Sequence, residues 1–167
     1  MKYTILENRS LIELTGADRN SFLQGLITND IEKLAPADPL YAALLTPQGK
    51  FLFDLFLYEC ASSGNDGAIL IDVEASRRED LIKKLSPYKL RADVALTPTD
   101  DLKVVALWGE GDLPKGVQPD PRLSEIGARA LLTKPEIANL NAEPASFEDY
   151  DTHRLALSSP YSQFAYH

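Results

Sequence analysis

Apolar positions along this chain switch between two periods, and the switches mark the elements. Residues 3–6 and 10–15 (SLIELT) carry the pattern of short strands, separated by the turn-like Glu7-Asn8-Arg9. The period then lengthens. In TGADRNSFLQGLITND, Phe22, Leu23 and Leu26 fall on one helical face, and Thr15 with Asp18 three residues on fits a capping pair. Residues 34–39 hold two prolines and predict a loop. YAALLT (41–46) and FLFDLFLYEC (51–60) read as a hairpin joined at Pro47-Gln48-Gly49, where Gly49 can take a positive φ. SSGNDG (62–67) is a second turn, leading to the strand AILIDV (68–73).

The later half repeats this alternation. Ser76-x-x-Glu79 fits a capping box, with Leu81, Ile82, Leu85 and Tyr88 on the apolar face of the helix it opens. RADVALTPT (91–99) reads as extended and LKVVALWG (102–109) as a strand. Residues 110–121 hold three prolines and two glycines and predict a loop. RLSEIGARALLT (122–133) fits either period, and Gly127 tips it towards a strand over 128–132. Ser146 to Leu157 reads as a helix with a Ser-x-x-Asp cap and with Phe147, Tyr150, Arg154 and Leu157 on one face. The order β-β-α-β-β-β-α-β-β-loop-β-α predicts an α+β fold with mostly antiparallel sheets, in two similar halves that break near residue 100.

One residue disturbs the hairpin. In FLFDLFLY, Phe51, Phe53, Leu55 and Leu57 point one way, and Leu52, Asp54, Phe56 and Tyr58 point the other. Asp54 therefore sits on an otherwise apolar face. An ionised carboxylate there must be paired, protonated or turned towards a wet cavity. Two readings stay open: a structural Asp tied to a backbone N–H, Lys or Arg, and a ligand-facing carboxylate. Lys50 lies about 13 Å away along an extended strand and need not pair with it. For Thr28-Asn29-Asp30 the alternatives are a polar helix-to-loop junction and a ligand-binding turn.

Composition narrows the choices. The 167 residues suffice for one domain or two small packed subdomains, and a net charge of −8 argues against direct binding of nucleic-acid backbones. The single cysteine, Cys60, excludes an internal disulfide, and no Cys/His cluster has metal-ligand spacing, so no metal is expected. Cys60 reads as a small half-buried residue rather than a reactive thiol, and His153 as a surface residue. The N-terminus MKYTILENRS lacks a long apolar segment, and no run approaches the ~18 apolar residues of a membrane span. The expectation is a cytoplasmic protein without a membrane association.

Three stretches carry a resemblance when taken together: FLQGLITNDI (22–31), YAALLTPQGKFLFDLFLY (41–58), and the pair DPRLSEIGARAL (120–131) and YDTHRLAL (150–157). In this order and spacing they resemble the YgfZ-type folate-binding proteins, relatives of the T-protein aminomethyltransferase of the glycine cleavage system. The resemblance implies a folate-binding domain over residues 1–157, made of two ferredoxin-like halves with exchanged strands. It further implies tetrahydrofolate in a central cavity and a role in iron–sulfur protein maturation, with iron–sulfur client proteins as partners, or in tRNA modification. On this view Asp54 matches the strand Asp that lies near the reacting folate nitrogen in T-proteins, which makes it a folate ligand and the candidate catalytic residue. Thr28, Asn29 and Asp30 match the family's Thr-Asn-Asp segment beside the cavity.

Two departures qualify what is implied. Lys50 stands where T-proteins carry the second glycine of a Gly-Gly pair, which favours the YgfZ side and leaves transferase activity open. After Leu157 the chain reads SSPYSQFAYH, where the family continues into a Lys-Gly-Cys-x-x-Gly-Gln-Glu signature and a C-terminal barrel. The expectation is a chain cut short of that signature, with Cys60 no substitute for its cysteine and residues 158–167 a divergent tail. Truncation would leave a sheet edge open to homodimerisation, with Tyr161, Phe164 and Tyr166 covering part of it. The alternatives to a folate-binding maturation factor are an aminomethyl transferase and an inactive truncated domain that serves as an interaction module.

Overall fold

The first two strands join different sheets. In the computed structural model, which describes residues 1–60 and 67–157, β1 (Lys2–Ile5) lies antiparallel to a strand of the later half. The chain then passes at Glu7–Asn8 into a unit spanning Asn8–Thr99, while Met1–Glu7 groups, among the described residues, with residues 100–157. Most of the SSGNDG turn and the 158–167 tail lie outside the described residues.

In the Asn8–Thr99 unit, β2 (Arg9–Thr15), β3 (Leu40–Leu45), β4 (Phe51–Cys60), β5 (Ala68–Glu74) and β6 (Ala95–Thr99) form a sheet in the order β3-β4-β5-β2-β6. Its pairings are antiparallel. The 41–60 hairpin forms as the sequence predicts, with Gly49 at φ 81°. Strand alternation sends Ile12, Leu14, Phe53, Leu55, Leu57, Ile69 and Ile71 to one face. There they pack with Phe22 and Leu23 of α1 (Arg19–Gln24) and Leu81 and Leu85 of α2 (Arg78–Leu85). Each such fully buried side chain contributes about 1.5–3 kcal/mol of transfer free energy. This face therefore holds the helices on the sheet and leaves the chemistry to the other face.

Both helix starts differ from expectation. Thr15, the expected cap, is the last residue of β2, and Asp18 precedes α1 without a side-chain capping bond. Its Oδ2 instead accepts from the Asp93 N–H at 2.7 Å, across the unit. Gly16, at φ 109°, lies so close to Asp93 that a Cβ there would stand 2.0 Å from the Asp93 carbonyl oxygen. This close approach redirects Asp18 away from capping. Ser76 forms no capping box either. Its hydroxyl donates to Glu74 Oε1 at 2.7 Å, residues Ala75–Arg77 form a 3-10 turn, and α2 begins at Arg78. Tyr88 falls beyond α2, in the 3-10 segment Ser86–Arg91, and is 52 % exposed. Pro87 lacks the N–H that continuation of the α-helix would need.

In the other unit, β7 (Lys103–Trp108), β8 (Gln118–Pro119), β9 (Ala128–Leu132) and β10 (Glu143–Pro144) join β1 in the order β10-β1-β7-β9-β8. Val105, Leu107, Ala128 and Ala130 form its core with Ile137 of α3 (Lys134–Ala138). Gly127, at φ 118°, is required by contact: a Cβ would lie 2.1 Å from the Leu107 carbonyl oxygen. α4 (Phe147–Ala156) opens with the predicted box, Ser146 and Asp149 bonding reciprocally. Tyr150 and Arg154 are buried on its inner face, whereas Phe147 is exposed. The short α3, with its own Thr133–Glu136 box, and the two-residue strands β8 and β10 are absent from the sequence reading.

Candidate functional site

The second face of the Asn8–Thr99 sheet is the unusual one. Leu11 of β2 pairs with Asp72 of β5, which pairs with Phe56 of β4, which pairs with Tyr41 of β3. Alternation puts Arg9, Asp54 and Asp72 on this same face. Arg9, at the start of β2, reaches across β5 towards β4. Its Nε donates to Asp72 Oδ1 at 2.6 Å, its Nη2 to the Asp72 carbonyl oxygen at 3.0 Å, and its Nη1 to Asp54 Oδ1 at 3.1 Å. The guanidinium also lies 5.4 Å from the Phe56 ring centroid, and Tyr41 packs on Phe56 at 4.8 Å.

The two carboxylates are held unequally. The Asp72 side chain is fully buried (0 % exposed) and takes the shorter bond, whereas the Asp54 side chain keeps 10 % of its surface. Asp54 Oδ2 makes no hydrogen bond among the described residues. With all three groups ionised the cluster carries one excess negative charge and an open acceptor. Such a site suits a ligand that brings N–H donors or positive charge. Both readings of Asp54 thus meet in one residue, which is tied to an arginine through one oxygen and open at the other.

Thr28, Asn29 and Asp30 come onto the same hairpin from the edge. Thr28 N–H donates to the Ala43 carbonyl (3.0 Å), and Thr28 Oγ1 accepts from Ala43 N–H (2.9 Å). Ala43 is the direct β3 partner of Asp54. Asn29 Nδ2 donates to the Tyr41 carbonyl at 2.9 Å, and its Oδ1 accepts from Asp30 N–H at 2.8 Å. Asp30 Oδ1 accepts from Glu32 N–H (3.1 Å) and from Gln24 Nε2 (3.2 Å). These bonds fasten the segment along β3 and fix the strand that faces Asp54. Lys50 takes no part in the cluster.

Arg9 and Asp72 were missed by reading the sequence. Arg9 was assigned to the Glu7-Asn8-Arg9 turn but is the first residue of β2. AILIDV carries the same signal as FLFDLFLY, an acid inside an apolar run. Two acids in apolar strands signal a shared cation, but which of the chain's cations it is depends on the register of β2, β5 and β4.

Cys60, at the far end of β4, donates to the Ala68 carbonyl at 3.5 Å. Burial, with the nearby Glu13 and Glu59 charges, raises its thiol pKa, so it is not an activated nucleophile. His153 is more engaged than a surface residue: its Nε2 lies 2.9 Å from the Ile126 carbonyl oxygen and its ring stacks with Trp108 at 6.2 Å. In that same unit Arg122 grips Asp120 with two bonds, 2.9 and 2.6 Å, and reaches Tyr150 Oη at 3.2 Å. Burial opposes the Arg122 charge, but the hydrogen bond and charge of Asp120 outweigh it and raise the guanidinium pKa. Among the described residues no group of His, Cys, Asp and Glu side chains is placed to hold a metal ion, and no helix is long and apolar enough to cross a membrane.

The backbone decides the fold comparison. Aminomethyltransferase T of the glycine cleavage system from Bartonella henselae superposes with a TM-score of 0.66 over 92 % of this chain and 50 % of its own, at 16 % identity. The fold is that of aminomethyltransferase T. In sequence, the chain is 34 % identical over 185 aligned positions to the mitochondrial iron–sulfur cluster assembly factor IBA57 homolog of Coccidioides immitis, covering 95 % of this chain and 44 % of that protein. The homolog of Mycosarcoma maydis is 28 % identical over 92 % of this chain and 42 % of its own length. That of Aspergillus oryzae is 37 % identical over 68 % and 28 %. The chain therefore spans less than half the length of these curated relatives, and no family model matches it. These relatives overturn one expectation. They are named mitochondrial proteins, against the cytoplasmic placement read from the N-terminus. An apolar signal segment is a mark of secretion, and its absence from a stretch of sequence does not bear on mitochondrial import.

Proposed function

We propose that the chain is the tetrahydrofolate-binding portion of a YgfZ-type protein that acts in iron–sulfur cluster assembly. The observation that carries this reading is the half-open carboxylate of Asp54, braced by Arg9 on the sheet face opposite the helices. The fold of aminomethyltransferase T of the glycine cleavage system supports it, as do relatives named iron–sulfur cluster assembly factors. The residues suit the ligand: a reduced pterin presents N–H donors, and Asp54 Oδ2 is an acceptor without a partner among the described residues.

In this reading Arg9 fixes the Asp54 rotamer. Thr28 and Asn29 hold β3 in register behind it, and Asp30 pins the turn that carries them. Bound tetrahydrofolate would supply a one-carbon acceptor or carrier. Asp54 would hold a pterin N–H or take up a proton from it. Client proteins that receive iron–sulfur clusters are the partners expected from the relatives' names. Binding without transfer is favoured over aminomethyl transfer, because the likeness to aminomethyltransferase T is one of fold and Lys50 replaces the glycine expected of a transferase. The net charge of −8 disfavours direct binding of tRNA, so any effect on tRNA would be indirect.

Anaerobic calorimetric titration with tetrahydrofolate tests this. The expected result is saturable binding by the chain that Asp54→Ala weakens by ten-fold or more. Equal binding by both proteins, or none by the folded chain, removes the proposal.

A further inference from the structure

A second surface lies on the helical side of the same unit. Two adjoining clefts, of about 340 and 540 Å³, run between the end of α1, the β3–β4 turn and the 3-10 segment Ser86–Arg91, and they share Gly25, Leu26 and Tyr88. Leu26, Leu45, Pro47 and Tyr88 give an apolar floor, and Lys84 and Arg91 stand on the walls. Tyr88 and Leu45 belong to the large hydrophobic side chains left exposed, as does Leu90, which is 88 % exposed. Exposed apolar groups gathered beside a groove mark an interaction site more often than chance scatter does.

Charge identifies the occupant. The chain carries −8 overall, yet residues 77–91 hold six Lys and Arg against two acidic residues, a local +4. Arg77 is spent on the Leu52 carbonyl and the Phe53 ring, and Arg78 on the Thr99 carbonyl. The side chains of Lys83, Lys84, Lys89 and Arg91 make no hydrogen bond or ion pair among the described residues. The one carboxylate on the cleft walls, Asp18, is already occupied by the Asp93 N–H. Two uncommitted cations of an acidic chain, Lys84 and Arg91, thus line an apolar groove, with Lys83 and Lys89 in the same basic segment.

We infer that this groove docks an acidic polypeptide segment of a partner protein, with Leu- or Phe-type anchors on the Leu26–Tyr88 floor and carboxylates on Lys84 and Arg91. The apolar floor and the strongly negative remainder of the molecule favour polypeptide over nucleic acid. Asp54 lines neither cleft, although Thr28 of the hairpin edge borders the smaller one, and the peptide test below does not require folate.

The test is selection of a randomised 12-residue peptide library against the full 167-residue chain, followed by anisotropy titration of the fluorescein-labelled winners. Expected winners combine Asp or Glu with Leu, Phe or Trp. Their Kd should rise at least ten-fold on Lys84→Glu/Arg91→Glu and on Tyr88→Ser, with circular dichroism unchanged. All three positions are exposed, so these variants should fold. The inference is overturned by a selection without winners, by winners that are basic or indifferent to both variants, and by tighter binding of a 12-nucleotide single-stranded RNA. It is equally overturned by a wild-type dimer in light scattering that Tyr88→Ser dissociates, which would give the groove to a second copy.

Discussion

Each unit of the molecule buries an arginine against aspartate, and the two clusters are built to opposite plans. Around Arg122 the fork closes on a single carboxylate, Asp120, whose side chain is 0 % exposed, and the remaining reach goes to Tyr150. Around Arg9 one guanidinium serves two carboxylates and leaves one oxygen of Asp54 unmatched. The first arrangement engages both oxygens of its carboxylate, and it ties the loop before β9 to α4. The second is complete only for Asp72. A buried ion pair gains little over apolar packing unless its geometry is closed, so a half-closed cluster signals a purpose other than stability.

The largest effect should come from taking away either cation. Arg9→Leu strands two carboxylates and Arg122→Leu strands one, and breaking a buried pair in this way costs about 3–5 kcal/mol. Urea denaturation of both variants should show losses in that range, Arg9→Leu the greater. A loss below about 1 kcal/mol at Arg9 would mean that water already solvates the cluster and that Asp54 needs no brace.

The carboxylates should then separate the two clusters by kind. Asp54→Ala leaves Arg9 both of its Asp72 bonds, so stability should fall by only about 1 kcal/mol, the net worth of one hydrogen bond. Tetrahydrofolate affinity should fall ten- to a hundred-fold, matching the roughly 1.5–3 kcal/mol of a charge-assisted bond. Asp120→Asn should do the reverse, lowering the urea midpoint while the Kd at low temperature stays within two-fold. Identical profiles for the two variants would erase the distinction between an open and a closed cluster.

How far the sequence reveals this contrast depends on the range of each interaction. The hairpin, the α4 capping box and the strand after Gly127 rest on residues a few positions apart, and each forms where the local pattern places it. The Thr15–Asp18 and Ser76–Glu79 boxes have equally good local signatures and fail. A distant backbone group claims Asp18, and a neighbouring carboxylate claims Ser76. Asp54 was legible because an acid in an apolar strand violates a local rule. Its partner was not, because Arg9 and Asp54 are 45 residues apart and meet only once β2, β5 and β4 are in register. For the same reason β1 reads as the neighbour of β2, although its partners lie beyond residue 100.

The smallest expected effect lies on the same strand as Asp54. Cys60 follows it by six residues, about 20 Å along β4, and shares its face by alternation. If the open acceptor at Asp54 is what makes the site, Cys60→Ala should leave the tetrahydrofolate Kd unchanged. The thiol itself should be sluggish. Burial and the charges of Glu13 and Glu59 disfavour the thiolate, so the raised pKa keeps Cys60 protonated at neutral pH. Iodoacetamide alkylation followed against pH should therefore rise only at values above those for a free cysteine, and tetrahydrofolate should not protect against it. Rapid labelling at pH 7, or protection by the ligand, would extend the reactive region along the whole strand and dissolve the contrast between an open Asp54 and an otherwise inert sheet face.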